Sequence, residues 1–277
     1  MQLGGTAPQL YDQARDGVVD MVLTLPGSTA GRFPTIEVFE LPFVASRLGM
    51  SNAKAVQECY DSGVLKDEFM EVHPLAIWAH DRGLLHTHRA VKTMEDLRGL
   101  KLRSPTRLAG EALKALGANG IPMPLPQLPE SLAQRVLDGC VVPWEIVPAV
   151  KGHEFLRFHT EIPGSPTLYT ATFIVAMNKP KYASLPADLK EVIDVNSGQA
   201  LATMAGRMWD DEAKAVEALV RKRGNTVTTI TQEEAARWRK ATEPVIEAWL
   251  RQAKERGLDG GRLLETVRAL IAKYDNA

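Results

Sequence analysis

Cysteine is scarce in this 277-residue chain: only Cys59 and Cys140 occur. They follow neither CxxC spacing nor any other metal-ligand rhythm. They read as small buried hydrophobes, and a disulfide between them stays open at this point. No apolar run approaches the ~20 residues a membrane helix needs. The net charge is -1, so nothing points to nucleic acid or to an anionic membrane surface. There is no GxxxxGK[ST] loop, no GxGxxG after a strand, no GxSxG elbow and no HExxH pair. Of six histidines, His80, His86 and His88 form a loose trio. His86 and His88 would share one strand face, and solvent-facing positions suit them better than a metal site without a third ligand. The carboxylates of "MEDL" and "WDDEAK" have the spacing of solvated helix faces. No catalytic residue, metal or cofactor is therefore expected.

What is present is an ordinary globular composition, 45% apolar and 24% charged, long enough for two lobes of roughly 100–150 residues each. Thr6 caps a helix that Gly17 closes, and "VVDMVLTL" (18–25) reads as a short buried strand. Further strands are expected at 73–80, 82–87, "LKLRS" and "CVV", with 167–178 the longest. A helix follows Thr106 and stops at Gly117, another covers "ESLAQRVLDG", and "PWEIVPAVK" begins a third. This alternation argues an α/β architecture. "QARDGVVDMV" (13–22) and "QRVLDGCVVPW" (134–144) repeat one order, helix end, Asp-Gly, valine-rich strand, which hints at two related lobes. The proline-free stretch 187–222 reads as one helix of roughly 54 Å, long enough to span both lobes. Thr231 and Glu234 open a further helix as a capping box, and "GGRLLETVRALIAKY" forms the last.

Arg103 poses the functional question. It stands where the strand "LKLRS" runs out, directly before Ser104-Pro105-Thr106 and a helix. A guanidinium partly removed from water is costly without a partner. Either an internal carboxylate pairs with it, or a carboxylate arrives from outside and is gripped by the planar fork.

The stretch "DLRGLKLRSPTRLAGEALKALGANGIPMPLPQLPESLAQRVLDGCVVPW" resembles the core signature of solute-binding subunits of tripartite ATP-independent periplasmic (TRAP) transporters, the DctP family. "QLGG", "QARDGVVDM", "ELPFV" and "AMNKPKYASLPADLKEVI" match in order, so the resemblance covers nearly the whole chain. It implies a two-lobed periplasmic-binding-protein-like fold, with a long inter-lobe helix, closing over an organic acid. Residues 1–82 with 174–223 would form lobe I, and 83–173 with 224–277 lobe II. Arg103 stands at the family's carboxylate-clamping arginine. Trp144 matches the cleft-edge segment and is either an apolar wall or a core residue. Phe43 carries the same choice, with the core favoured. Tyr169 would place its hydroxyl in the cleft. Arg82 would supply a second cation, although Gly83 falls at the family's auxiliary arginine. Val141-Val142 replaces the Glu-Asn of many members, so ligand identity does not carry over.

Mature members also carry some tens of residues before "QLGG", so the first strand and helix of lobe I are expected to be missing, through a misassigned start or truncation. That loss would leave an unpaired sheet edge. The implied protein is a periplasmic monomer that performs no chemistry and inserts in no membrane. It would bind no nucleic acid and would deliver a small organic acid to the TRAP membrane subunits. The alternative is a sensor of the same fold reporting a carboxylate to a signalling partner.

Overall fold

The computed structural model describes residues 5–276, so most of the "QLGG" text lies outside the described residues. Helix α1 (Ala7–Arg15) is capped by Thr6 in a capping box with Gln9, and Gly17 follows at φ 73°. The remaining elements are β1 (Met21–Thr24), α2 (Gly49–Asp61), β2 (His73–Ala79), β3 (Leu84–Thr87), β4 (Lys101–Ser104), α3 (Arg107–Ala115), β5 (Asn119–Pro122), α4 (Leu128–Ala133), β6 (Gly139–Val142), α5 (Ile146–Ala149), α6 (Gly152–Phe155), β7 (Phe158–Glu161), β8 (Thr172–Met177), α7 (Lys179–Ser184), α8 (Ala187–Val195), α9 (Gln199–Lys222), β9 (Thr226–Thr229), α10 (Gln232–Glu255) and α11 (Gly260–Asp275). Short 3-10 turns, among them Ile36–Glu40, lie between them.

Two sheets organise the two lobes. Lobe I holds an antiparallel sheet in the order β1-β8-β2, and lobe II a mixed sheet in the order β5-β4-β6-β3-β7-β9. Side chains of the central strands alternate between two covered faces, whereas Met21 and Leu23 of the edge strand β1 are exposed. In lobe I, Ile77, Ala79, Ile174 and Ala176 face the main core, while Ala76, Trp78, Phe173 and Val175 face α9. In lobe II, Leu85 and Val141 face one cluster, and Leu84, Cys140 and Val142 the other. The two Asp-Gly segments enter β1 and β6, one in each sheet. Cys59 and Cys140 are free, buried, and belong to separate clusters.

Several expectations need correction. The helix expected over 187–222 is broken: Gly198, at φ 59°, separates α8 from α9, and its N–H donates to Leu75 O at 2.6 Å. The backbone bond to the start of β2 and the positive φ explain why a proline-free stretch is interrupted here. The α9 that remains, about 36 Å long, still crosses between lobes. Ala202, Ala205 and Trp209 pack on lobe I; Ala213, Val216 and Val220 pack on lobe II.

Segment 224–277 does not belong to lobe II as a unit. Trp238 of α10 sits in a lobe II cluster, whereas Val245, Trp249, Ala253 and α11 fill the lobe I core. A 24-residue amphipathic helix outreaches one lobe and so buries its two ends in different cores. The long strand expected at 167–178 starts only at Thr172. Half of the expected capping box forms: Thr231 accepts from Glu234 N, while the Glu234 carboxylate accepts from Met94 N at 2.6 Å and Trp238 Nε1 at 2.8 Å.

Gly206 marks the closest approach of α9 to α2. A Cβ there would lie 2.7 Å from Gly49 O and 2.8 Å from Met50 Cα. Gly206→Ala gains helix propensity of ~1 kcal/mol but forces two backbones apart, an overpacking cost of about 1–3 kcal/mol. Its melting temperature should fall below wild type. A rise on thermal denaturation would show that the two helices yield freely.

Candidate functional site

Arg103 lies on β4 between β5 and β6, level with Ile121 and Cys140. It is only 6% exposed. Its Nε donates to Met123 O at 2.9 Å, and among the described residues no carboxylate forms an ion pair with it. Burial works against its charge, with only the Tyr169 and Cys140 side chains in mild opposition. A guanidinium nonetheless stays protonated. The internal bridge left open by the sequence is thus not made. Burial beside this cation leaves the Cys140 thiol pushed up to about 12.

The guanidinium faces a cavity of about 880 Å³ between the lobes. One wall is aromatic. His80, Tyr169, Phe173 and Trp209 all line it, with His80 5.4 Å from Tyr169 and 5.7 Å from Trp209, and Phe173 5.6 Å from Trp209 (ring centroids). His80 is fixed as a neutral ring: Nδ1 donates to Asp81 O at 2.5 Å and Nε2 accepts from Ala171 N at 3.0 Å. Burial pushes its pKa down to about 4. Ile121, Met123, Pro124, Val142 and Pro143 also line the cavity. The turn from β4 into α3 contributes Pro105, Thr106 and Arg107, with Thr106 capping α3. Gly83 makes room for the aromatic wall, since a Cβ there would lie 1.8 Å from Tyr169 Cε1. The position where the family's auxiliary arginine would fall therefore admits an aromatic ring instead.

Of the five residues named from the sequence, the cavity brings together Arg103 and Tyr169. Arg82 is engaged elsewhere: its Nε donates to Glu161 Oε1 at 2.8 Å, and Asp81 and Glu217 each lie 3.5 Å away. Three carboxylates hold it off the cavity wall, so it is not a second ligand cation. Trp144 is fully buried in a lobe II cluster, and its Nε1 donates to Glu161 Oε1 at 3.2 Å. Its neighbours Val142, Pro143 and Ile146 line the cavity in its place. Phe43, at φ 56°, belongs to the other lobe II cluster and borders a separate pocket. His86 is buried rather than solvent-facing: its Nδ1 lies 2.6 Å from His159 Nδ1, and its Nε2 donates to Val142 O at 3.1 Å. Among the described residues, no group of three or more His, Cys, Asp or Glu is placed to hold a metal.

Sequence reasoning missed His80, Phe173 and Trp209 as cavity residues. Only Phe173 carried a signal, its place in the strand alternation. Arg107 and Glu40 were also missed. Arg107 Nη2 donates to Glu37 Oε2 at 2.6 Å and Nη1 to Glu111 Oε1 at 2.8 Å. Glu40 lies behind Gly27, where a Cβ would meet its Oε2 at 2.3 Å. Its Oε1 accepts from Thr172 N at 3.0 Å and Oγ1 at 2.7 Å, and burial raises its pKa to about 7.

A two-lobed α/β frame with a buried cation at an inter-lobe cavity defines a solute-binding protein. The family model described as bacterial extracellular solute-binding protein, family 7 (DctP), matches residues 2–252, and the chain belongs to that family. Its fold is that of a TRAP solute-binding protein from Rhodoferax ferrireducens in complex with copurified benzoate, at 45% identity and TM-score 0.94 over 100% of this chain and 86% of that one. A marine metagenome TRAP solute-binding protein specific for aromatic acid ligands, in complex with metahydroxyphenylacetate, is 43% identical with TM-score 0.96 over 99% and 86% of the two chains. The 2,3-diketo-L-gulonate-binding periplasmic protein YiaO of Escherichia coli is 26% identical over 78% of this chain, which spans 65% of YiaO. Among the described residues no helix is long and apolar enough to cross a membrane.

Glu40 generates a pH prediction. Its folded pKa, about 7, exceeds the ordinary 4.5. The folded state therefore keeps a proton that the unfolded state releases, and this contribution to stability is lost as pH rises from about 4.5 through 7. Glu40→Gln keeps the Oε1 acceptor and removes the titration. The melting temperature of wild type relative to Glu40→Gln should decline between pH 5 and pH 8. A constant difference would contradict the raised pKa.

Proposed function

We propose that this chain is the periplasmic receptor of a TRAP-type transporter, that it captures an aromatic carboxylic acid, and that it delivers the acid unchanged to the membrane subunits. The observation that carries this reading is Arg103: a buried guanidinium without an internal carboxylate, opening on a cavity whose aromatic wall and aliphatic side chains supply most of its named lining, while Arg107 is paired to acids and Lys114 is exposed. A carboxylate supplies the missing partner through two parallel hydrogen bonds. The ring of the acid packs on Phe173, Trp209 and His80, gaining both area burial and ring-ring contact. Val142 on the wall suits carbon rather than a ligand oxygen. Benzoate and metahydroxyphenylacetate in the two similar structures are acids of this class.

Binding would close the cleft because both lobes contribute walls, so the acid makes more contacts in the closed state than in the open one. Trp209 lines the cavity, so its fluorescence would report closure. The relatives are solute-binding proteins, and no observation favours the sensing alternative.

Calorimetry with benzoate and 3-hydroxyphenylacetate tests the reading. Arg103→Ala should weaken binding by about 30- to several-thousand-fold, as truncating one half of a buried charge pair costs roughly 2–5 kcal/mol. Arg103→Lys should recover part of that, since the charge returns without the fork. Wild-type affinity in the alanine variant would overturn the clamp. Failure of every aromatic acid to bind the wild-type protein would overturn the function.

A further inference from the structure

Four charged side chains line the cavity: Arg103, Arg107, Glu111 and Lys114. They are not equivalent. Both terminal nitrogens of Arg107 are committed, one to Glu37 Oε2 at 2.6 Å and the other to Glu111 Oε1 at 2.8 Å. Glu37 is 4% exposed, so the stronger of these pairs is withdrawn from water. Together the three groups carry one negative charge in excess. Lys114 is exposed at the end of the same helix, where solvent screens it. Arg82 is held outside the cavity by Glu161, Asp81 and Glu217, and His80 has both nitrogens bonded to backbone. The cavity thus offers one buried cation that no internal carboxylate neutralises.

Resting on the proposed capture of aromatic acids, we propose that the site selects acids of a single negative charge, and that Glu37 and Glu111 exclude diacids by holding the Arg107 charge neutralised. A second carboxylate on the ring would leave water without gaining a cation. It would also meet the excess negative charge beside Arg107, a repulsive element that sharpens specificity without touching the preferred ligand's own carboxylate. Without these two acids, Arg107 would stand free on the cavity wall as a second clamp.

The test compares isophthalate with its monomethyl ester by calorimetry at pH 7.5, with benzoate as reference. The ester is slightly larger than the diacid and carries one charge fewer, so volume cannot explain a preference for it. Wild type should bind the ester at least about 100-fold more tightly than the diacid, since like-charge juxtaposition costs several kcal/mol. Glu37→Gln should narrow that ratio about tenfold or more, and Glu111→Gln should move it the same way by less, its carboxylate being the more exposed. If Glu37→Gln does not fold, Glu111→Gln decides. Equal affinity of wild type for diacid and ester, with benzoate bound, overturns this inference and leaves the proposed function standing. No binding of benzoate, 3-hydroxyphenylacetate or the ester overturns both. A ratio unmoved in the folded glutamine variants overturns the roles of Glu37 and Glu111.

Discussion

The burial of Arg103 without an internal carboxylate is the constraint around which the site is arranged. A lone guanidinium in an apolar wall opposes folding, and such a charge is retained where an external group completes it. The strand, the cap and the prolines around it hold the fork still: β4 fixes the Cα, Met123 O fixes Nε, and Thr106 ends the strand by starting α3. The other potential cations near the cavity are denied to a ligand in different ways. His80 is locked in one tautomer by the backbone, and Arg107 is absorbed by two acids. An acid entering this cavity meets one buried cation free of an internal carboxylate, an aromatic wall, and beside Arg107 a local excess of negative charge.

Close approaches that only glycine permits connect this site to the packing of the lobes. Gly83 lets Tyr169 lie beside Arg103, and Gly27 lets Glu40 tuck behind the cavity floor. Gly206 lets α9 approach α2, which brings Trp209 to the aromatic wall from a helix whose far end is buried in lobe II. The wall that would hold the ring is therefore built on an element shared by both lobes. Movement of one lobe against the other would be felt at Trp209 and at the middle of α10, which likewise has one end in each core.

Much of this frame could be read from the sequence, because its signals are local. The caps at Thr6, Thr106 and Thr231, the valine-rich strands and the position of Arg103 all follow from short-range chemistry. What could not be read is set by partners far along the chain. Gly198 breaks a proline-free helix because Leu75 O accepts its N–H. The exchange of α10 and α11 between cores depends on where Trp249 and Val267 find apolar surface, which periodicity does not reveal. Trp144 and Arg82 had residue types suited to a cleft, but Glu161 takes a hydrogen bond from each and fixes them behind the wall. Trp209 sits in "MWDDEAK", a run that reads as a solvated helix face, and only the inter-lobe packing shows its role.

A crystal structure of the protein grown with benzoate tests the central claim most directly. The account predicts both carboxylate oxygens within hydrogen-bond distance, about 2.7–2.9 Å, of the Arg103 guanidinium, with the ring against Phe173, Trp209 and His80. A carboxylate held by Arg107 or Lys114 instead, or a ring seated away from the aromatic wall, would contradict it.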